Sequence, residues 1–217
     1  GMENFSKLGD SIYFPDENRI YVNRYTSSKV NWEEKGLTIT QNADLPKVAF
    51  TVNGSARADI VLRVPDWCEE KPTVKINGNK KLVRVKDGFI TLDREWKDGD
   101  VIEYEMPMSI TVHPLPDNGN AVAFKYGPWV LSANMGTNNM NTGTTGVDVT
   151  VPLWDASVSE TLIVEKGTIN KWLRNIDENL VRIGDSLEFS LKGTNQNLVF
   201  SPHYKQHTNR YGIYFHL

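Results

Sequence analysis

Apolar positions recur along the chain with two different periods. At the start, Phe5, Leu8 and Ile12 fall three and four residues apart. That spacing puts them on one helical face, and Pro15 stops such a helix. The pattern predicts a short helix within residues 1–14, with Gly1 left out of the reasoning. A helix of about three turns is marginal in isolation, so it needs a surface to pack on. From Arg19 the period drops to two. Ile20, Val22 and Arg24 share one side, and the run from Leu37 to Gln41 alternates in the same way. Val48 to Val52 leads into Asn53-Gly54, Ile60 to Val64 ends at Pro65, and Val74 to Ile76 leads into Asn77-Gly78. Leu82 to Lys86 and Phe89 to Leu92 flank Asp87-Gly88, which predicts a hairpin. Asp98-Gly99-Asp100 is a further turn before Val101 to Met106, and Ile110 to Val112 lies beyond Pro107. These eight or nine short strands, punctuated by turn residues, are the pattern of a β-sandwich.

A Pro-rich stretch from His113 to Gly119 reads as the domain boundary. Beyond it, Ala121 to Tyr126 and Trp129 to Leu131 read as strands around Gly127-Pro128. Residues 134–146 are Asn, Gly, Thr and Met with one Ala in the approach to the stretch at 133, and read as a long mobile loop. Val147 to Leu153 and Leu162 to Val164 follow as strands. Ile169, Trp172, Leu173 and Ile176 return to helical spacing. Leu187 to Leu191, Leu198 to Phe200 and Tyr211 to Phe215 close the chain as strands. The expected fold is all-β: two jelly-roll-like sandwiches, the first over residues 15–113 and the second over residues 114–217, behind the short N-terminal helix. The two halves show no internal repeat.

Composition narrows the function classes. The 217 residues carry 24 Lys+Arg against 27 Asp+Glu, a formal net charge of -3. A near-balanced charge gives no electrostatic case for nucleic acid. The 24% charged and 39% hydrophobic fractions are those of a globular protein. No apolar run reaches the ~20 residues of a membrane span, and no signal-peptide pattern opens the sequence. The single Cys68 excludes an intrachain disulfide and a cysteine-based zinc finger.

The candidate chemistry is sparse. Glu103 and Glu105 share one face of a strand, opposite Ile102, Tyr104 and Met106, as on a solvated strand face. Glu33-Glu34 and Glu69-Glu70 read as surface charge near turns. A two-carboxylate glycosidase needs its groups ~5–10 Å apart across a cleft, and no pair stands out. His203 and His207 are four apart but follow Pro202 between strand-like runs, so helical ligand spacing is not expected. His113 precedes a proline and His216 lies near the end. Cys68 reads as a small core residue. The sequence has no nucleophile elbow and no phosphate-binding glycine loop. Six tryptophans, Trp32, Trp67, Trp96, Trp129, Trp154 and Trp172, either fill core and seams or stack on sugar rings. A coplanar exposed pair would mark a carbohydrate-binding module. A third reading is a hydrolase site around His203, His207 and Arg210.

Several segments, in order, resemble glycoside hydrolase family 127, the β-L-arabinofuranosidase family. They are the opening Met2 to Tyr13, Tyr21-Val22-Asn23, Leu62-Arg63-Val64-Pro65-Asp66-Trp67 and Val74-Lys75-Ile76-Asn77-Gly78. Arg94 to Asp100 with Met106-Pro107-Met108, Ala121 to Leu131, and Pro202 to Tyr211 complete the set. The resemblance covers nearly the whole chain except the Asn/Thr/Gly loop. It implies an N-terminal (α/α) barrel followed by β-sandwich domains. The barrel would carry a zinc site of cysteines and a glutamate, a cysteine nucleophile and a glutamate acid/base. The paired cysteines would fall just before Met2, and Cys68 matches none of those ligands. No residue here is therefore assigned a catalytic, cofactor-binding or metal-binding role. The expectation is a non-catalytic accessory region of an enzyme acting on arabinofuranoside-containing glycans. Its partners would be the barrel, glycans and a second copy, and its parent would be periplasmic or secreted.

Overall fold

The computed structural model describes residues 7, 9–137, 140–144, 148–152 and 160–217, the segments 140–144 and 148–152 as backbone only. The chain divides into two units, Gly1–Met108 and Ser109–Leu217. No helix among the described residues is long and apolar enough to cross a membrane.

The first unit is built from β1 (Tyr13–Asp16), β2 (Arg19–Val22), β3 (Ser28–Trp32), β4 (Leu37–Asp44) and β5 (Lys47–Asn53). It continues through β6 (Ala56–Arg63), β7 (Thr73–Ile76), β8 (Asn79–Lys81), β9 (Phe89–Trp96) and β10 (Asp100–Glu105). Two sheets result, one ordered β1-β2-β6-β9 and the other β3-β4-β5-β10-β7-β8. Alternation fixes which side chains face inward. Ile20 and Val22, Ile60 and Leu62, and Ile90 and Leu92 come from the first sheet. Leu37 and Ile39, Phe50 and Val52, Val74 and Ile76, and Ile102 and Tyr104 come from the second, and all form one apolar cluster. Burying such a side chain contributes about 1.5–3 kcal/mol, which makes this cluster the dominant stabilising element of the unit.

The turns follow the predicted chemistry. Asn77-Gly78 and Asp87-Gly88 both have positive φ at the two central positions (52° and 76°, 52° and 79°), as a type I′ hairpin requires. Gly54 at φ 92° lies so close to the β3–β4 connection that an added Cβ would sit 2.3 Å from the Gly36 carbonyl oxygen. Leu82 to Val85, predicted as a strand, pairs with no neighbour, and the Asp87-Gly88 hairpin closes only at the Lys86–Phe89 bridge. The reason is topological. β8 belongs to the six-stranded sheet and β9 to the four-stranded one, so residues 82–85 cross between sheets. Of the predicted N-terminal helix, residues 1–6 and 8 lie outside the described residues. Gly9–Ser11 forms one 3-10 turn, and Tyr13–Asp16 pairs with β2 as a strand instead of continuing a helix.

The second unit comprises β11 (Ile110–Pro114), β12 (Ala121–Tyr126), β13 (Trp129–Asn134), β14 (Met140–Thr144) and β15 (Asp148–Pro152). Then come α1 (Ile169–Arg174), α2 (Ile176–Asn179), β16 (Leu180–Arg182), β17 (Phe189–Leu191), β18 (Val199–Pro202), β19 (Tyr211–Gly212) and β20 (Phe215–His216). β12 and β13 pair at only two positions around Gly127-Pro128 before parting. β12 takes β20 as its next neighbour and β13 takes β19, so the sheet forks. Val122, Phe124 and Phe215 from one arm meet Leu131, Phe189 and Phe200 from the other in one cluster. α1 adds Trp172, edge-on to Phe124 at 6.3 Å. Thr168 caps α1 by accepting from the Lys171 N–H at 3.3 Å. The helical spacing read at Ile169 to Ile176 is thus realised as two short helices.

Two further expectations are corrected. His113 and Pro114 lie inside β11, paired with Ala123 and Val122, and the division falls at Met108/Ser109. Within residues 134–146, Asn134 ends β13 and Met140–Thr144 pairs antiparallel with Asp148–Pro152 as a two-stranded ribbon. Residues 138–139 and 145–147 lie outside the described residues.

Replacing Gly54 by Ala forces a side chain onto the Gly36 carbonyl in a left-handed conformation. The variant should lose more than ~1 kcal/mol of stability, read as a lower denaturation midpoint in urea.

Candidate functional site

A buried carboxylate organises one end of the first unit. Asp100 opens β10 with its side chain 7% exposed. Its Oδ1 accepts from Asn77 Nδ2 at 2.7 Å. Its Oδ2 accepts from the Lys97 backbone N–H at 3.0 Å and pairs with Arg94 Nη2 at 3.2 Å. The Asn77 Oδ1 in turn accepts from the Val101 N–H at 2.8 Å. Arg94 lies over the Trp96 ring, its guanidinium carbon 5.0 Å from the centroid, a cation–π arrangement. Trp96 is fully buried and donates from Nε1 to the Ala58 carbonyl at 3.0 Å. The segments Val74 to Gly78 and Arg94 to Asp100 meet here as one network joining the β7–β8 and β9–β10 turns. Burial pushes the Asp100 carboxyl up, but the bonds from Asn77 and Lys97 and the charges of Arg94 and Lys97 outweigh it. The net effect holds it below its ordinary value. In the sequence Asp98-Gly99-Asp100 reads as a turn within the Arg94–Asp100 segment, with no role given to the Asp100 side chain. The available signal was an acid at the inward position that opens a strand.

Two other polar groups in this unit also serve the backbone. Gln41 is fully buried, and its Nε2 donates to the Thr26 carbonyl at 2.7 Å and the Arg24 carbonyl at 3.2 Å. It therefore holds the β2–β3 connection against β4. Its inward position follows from the alternation Leu37, Ile39, Gln41. Tyr25 and Tyr104 both donate to the Arg63 carbonyl, Tyr104 at 3.1 Å. Burial raises both phenols, so neither is a working acid or base near neutral pH. Cys68 is buried, its thiol donates to the Glu70 carbonyl at 3.3 Å, and burial with the nearby Glu70 charge pushes its pKa up. A thiol so placed is a poor nucleophile.

The remaining acids are not gathered. Glu103 lies opposite Lys75 and Ala49, and Glu105 opposite Lys47 and Thr73. These are the cross-strand charge neighbours of a solvated face. Glu33 and Glu34 open a 3-10 turn. Among the described residues no three His, Cys, Asp or Glu side chains group as metal ligands. The family resemblance places its zinc ligands in the barrel, ahead of Met2, and not among these residues.

In the second unit the closing segment folds onto β13. Gln206 Nε2 donates to Ser201 Oγ at 2.8 Å and to the Ser132 carbonyl at 3.3 Å. Asn209 Nδ2 donates to Gln206 Oε1 at 2.6 Å. The Met135 N–H bonds the Arg210 carbonyl and the Arg210 N–H bonds Gly136, each at 2.9 Å. His203 contacts Ser132 Oγ at 3.3 Å and packs edge-on against Tyr211 at 4.5 Å. This is a backbone latch, and His207 is exposed outside it. His113 Nε2 lies 2.8 Å from Thr111 Oγ1, and His216 is exposed on β20. Of the tryptophans, Trp32, Trp96 and Trp172 are buried, and Trp67 packs partly buried on the first core. Trp154 lies outside the described residues. Trp129 is partly exposed beside the exposed Tyr204, but their planes meet at 62° and those of Tyr126 and Trp129 at 41°. Neither pair makes a flat platform for a sugar ring.

The two units define an all-β protein of sandwich type. Residues 19–108 match the family model described as Beta-L-arabinofuranosidase, GH127 middle domain, and residues 111–217 match DUF4986, a domain of unknown function. Residues 19–108 thus form a glycoside hydrolase family 127 middle domain, followed by a DUF4986 domain. Among curated proteins no sequence matches the chain. Among solved structures it is similar to a GH127 beta-L-arabinofuranosidase from Geobacillus stearothermophilus T6, with 17% identity and a TM-score of 0.62. That match covers 97% of this chain and 35% of the other. A second GH127 beta-arabinofuranosidase gives 17% identity and a TM-score of 0.64, over 95% of this chain and 36% of the other. A structure described as a glycoside hydrolase gives 18%, 0.60, 95% and 37%. The chain thus spans about a third of the length of these matched chains. At such identity the likeness is one of fold.

The Asp100 network sets an acid limit. Its folded-state pKa is depressed, so its stabilisation is complete above the unfolded value near ~4 and is lost as pH falls through the lower folded value. Asp100→Asn should cost about 1.5–3 kcal/mol at neutral pH. The variant should also show a shallower loss of stability than the parent between about pH 5 and pH 3. Equal pH slopes in urea titrations would contradict this assignment.

Proposed function

We propose that this chain is a non-catalytic accessory region of a family 127 glycoside hydrolase acting on plant-type, arabinofuranoside-containing glycans. The observation that carries this reading is the pattern of coverage. Nearly all of this chain aligns with about a third of the length of each matched hydrolase chain. The polar chemistry supports it. Asp100, Gln41, Gln206, Tyr25 and Tyr104 bond to turns and backbone carbonyls, and among the described residues no acid pair converges. In this reading the region covers the flank of an (α/α) barrel that holds the zinc and the cysteine nucleophile, and it contributes to contacts between copies. The parent enzyme works in the periplasm or outside the cell, where such glycans are met.

The test compares the isolated 217-residue chain with the complete polypeptide on an aryl β-L-arabinofuranoside. The complete enzyme should turn over and the isolated chain should not. Turnover by the isolated chain would overturn the reading. A calorimetric titration of the isolated chain with arabinan oligosaccharides should give no heat. Saturable heat that vanishes in Trp129→Ala would assign a glycan-binding module instead.

A further inference from the structure

Residues 80–86 form a basic arm that the fold leaves uncovered. Lys80, Lys81, Arg84 and Lys86 fall within seven residues of a chain whose net charge is -3. All four are exposed, and among the described residues none of them forms an ion pair. Leu82 between them is 98% exposed and Val85 39% exposed, while Val83 packs against the core. The arm crosses from β8 in one sheet to β9 in the other, so it peels away from both. Between it and β9 it leaves a groove of about 770 Å³, lined on the strand side by Phe89, Thr91, Asp93 and Glu95 and on the arm side by Lys81, Leu82, Arg84 and Lys86. Asp93 is engaged by Arg57 at 2.7 Å, and the arm's cations outnumber the two acids facing them. β9 is eight residues long and, among the described residues, is laddered on one side only, by β6.

An unpaired strand edge is a template for another strand. We propose that this groove binds an extended, acidic protein segment that adds to the β9 edge and sets its carboxylates against Lys81, Arg84 and Lys86. Charge selects this occupant. A second copy would bring the same cations against each other. An anionic glycan would match the charge but not the fully exposed Leu82, which asks for an apolar side chain. The side chains along an added strand supply both, carboxylates for Lys81, Arg84 and Lys86 and an aliphatic group for Leu82. The inference rests on the first unit alone and stands apart from the proposed accessory role.

The test titrates the isotope-labelled chain with a capped peptide alternating glutamate and valine, with its lysine–valine counterpart as control. Amide shifts along residues 80–96 should move saturably with the glutamate peptide, weaken with added salt, and stay unmoved with the lysine peptide. The combined variant Lys81→Glu, Arg84→Glu, Lys86→Glu should bind at least tenfold more weakly at an unchanged Tm, since none of these side chains enters the core. Absence of saturable shifts, shifts mapping elsewhere, or undiminished binding by the charge-reversed variant would overturn the proposal. So would stronger displacement by an oligogalacturonate than by the peptide, or self-association that protects β9 without peptide.

Discussion

A carboxylate removed from water must be repaid in full by partners, and in the first unit Asp100 meets that condition. The side-chain amide of Asn77, a backbone N–H and a guanidinium converge on its two oxygens. Each donor comes from a different turn or strand end, so satisfying one buried charge fixes the geometry of several local elements together. Leaving such a charge half-paired costs more than the pair contributes, which makes the arrangement all-or-none. Arg94 is held between the carboxylate and the face of Trp96, and Trp96 is itself anchored to Ala58 on β6. The network therefore reaches from the six-stranded sheet through β10 to the four-stranded sheet through β9 and β6. The apolar cluster supplies the stabilisation, and the network supplies the register at one end.

Much of this was legible in the sequence because period-two alternation is a local property. Ile20 with Val22, and Ile102 with Tyr104, share a strand face by spacing alone, and Asn77-Gly78 and Asp87-Gly88 are legible as turns by the demand for positive φ. The misreadings share a cause, which is that pairing is not local. Leu82 to Lys86 alternates like a strand, yet its ends belong to different sheets. His113 and Pro114 punctuate strongly, yet β11 stands at a sheet edge, where a proline costs no ladder hydrogen bond. Pro15 sits in the edge strand β1 for the same reason. The composition of residues 140–144 suggests a loop because Met140 alone is apolar and no alternation marks a face, while the pairing partner lies in residues 148–152.

The site was less legible than the fold, for a chemical reason. A catalytic group and a structural polar group look alike in sequence, and only their partners separate them. His203, His207 and Arg210 lie close along the chain, but the partners found there are Ser132, Tyr211 and backbone groups of β13 and its continuation. Gln206, which the sequence reading passed over, ties this segment down. Asp100 and Gln41 were equally inconspicuous, because one polar residue among apolar alternation reads as a lapse in the pattern. In both cases the lapse marks an inward amide or acid that ties down a neighbouring loop or turn, Gln41 through its Nε2 and Asp100 through both carboxylate oxygens.

The same reasoning, run outward, distinguishes the basic arm from ordinary surface charge. Edge strands such as β1 and β11 carry a proline that blunts them. β9 carries none over eight residues. Its open side faces a groove whose cations outnumber its two acids, Asp93 and Glu95, and which holds an aliphatic side chain in water. A charge run on a solvated face would sit well with hydrophilic neighbours and a closed sheet edge. Here the unmatched charge, the unmatched apolar surface and the unmatched backbone edge lie together. One extended acidic strand satisfies all three, whereas a sugar chain leaves the backbone edge unpaired and a second copy leaves the charge opposed.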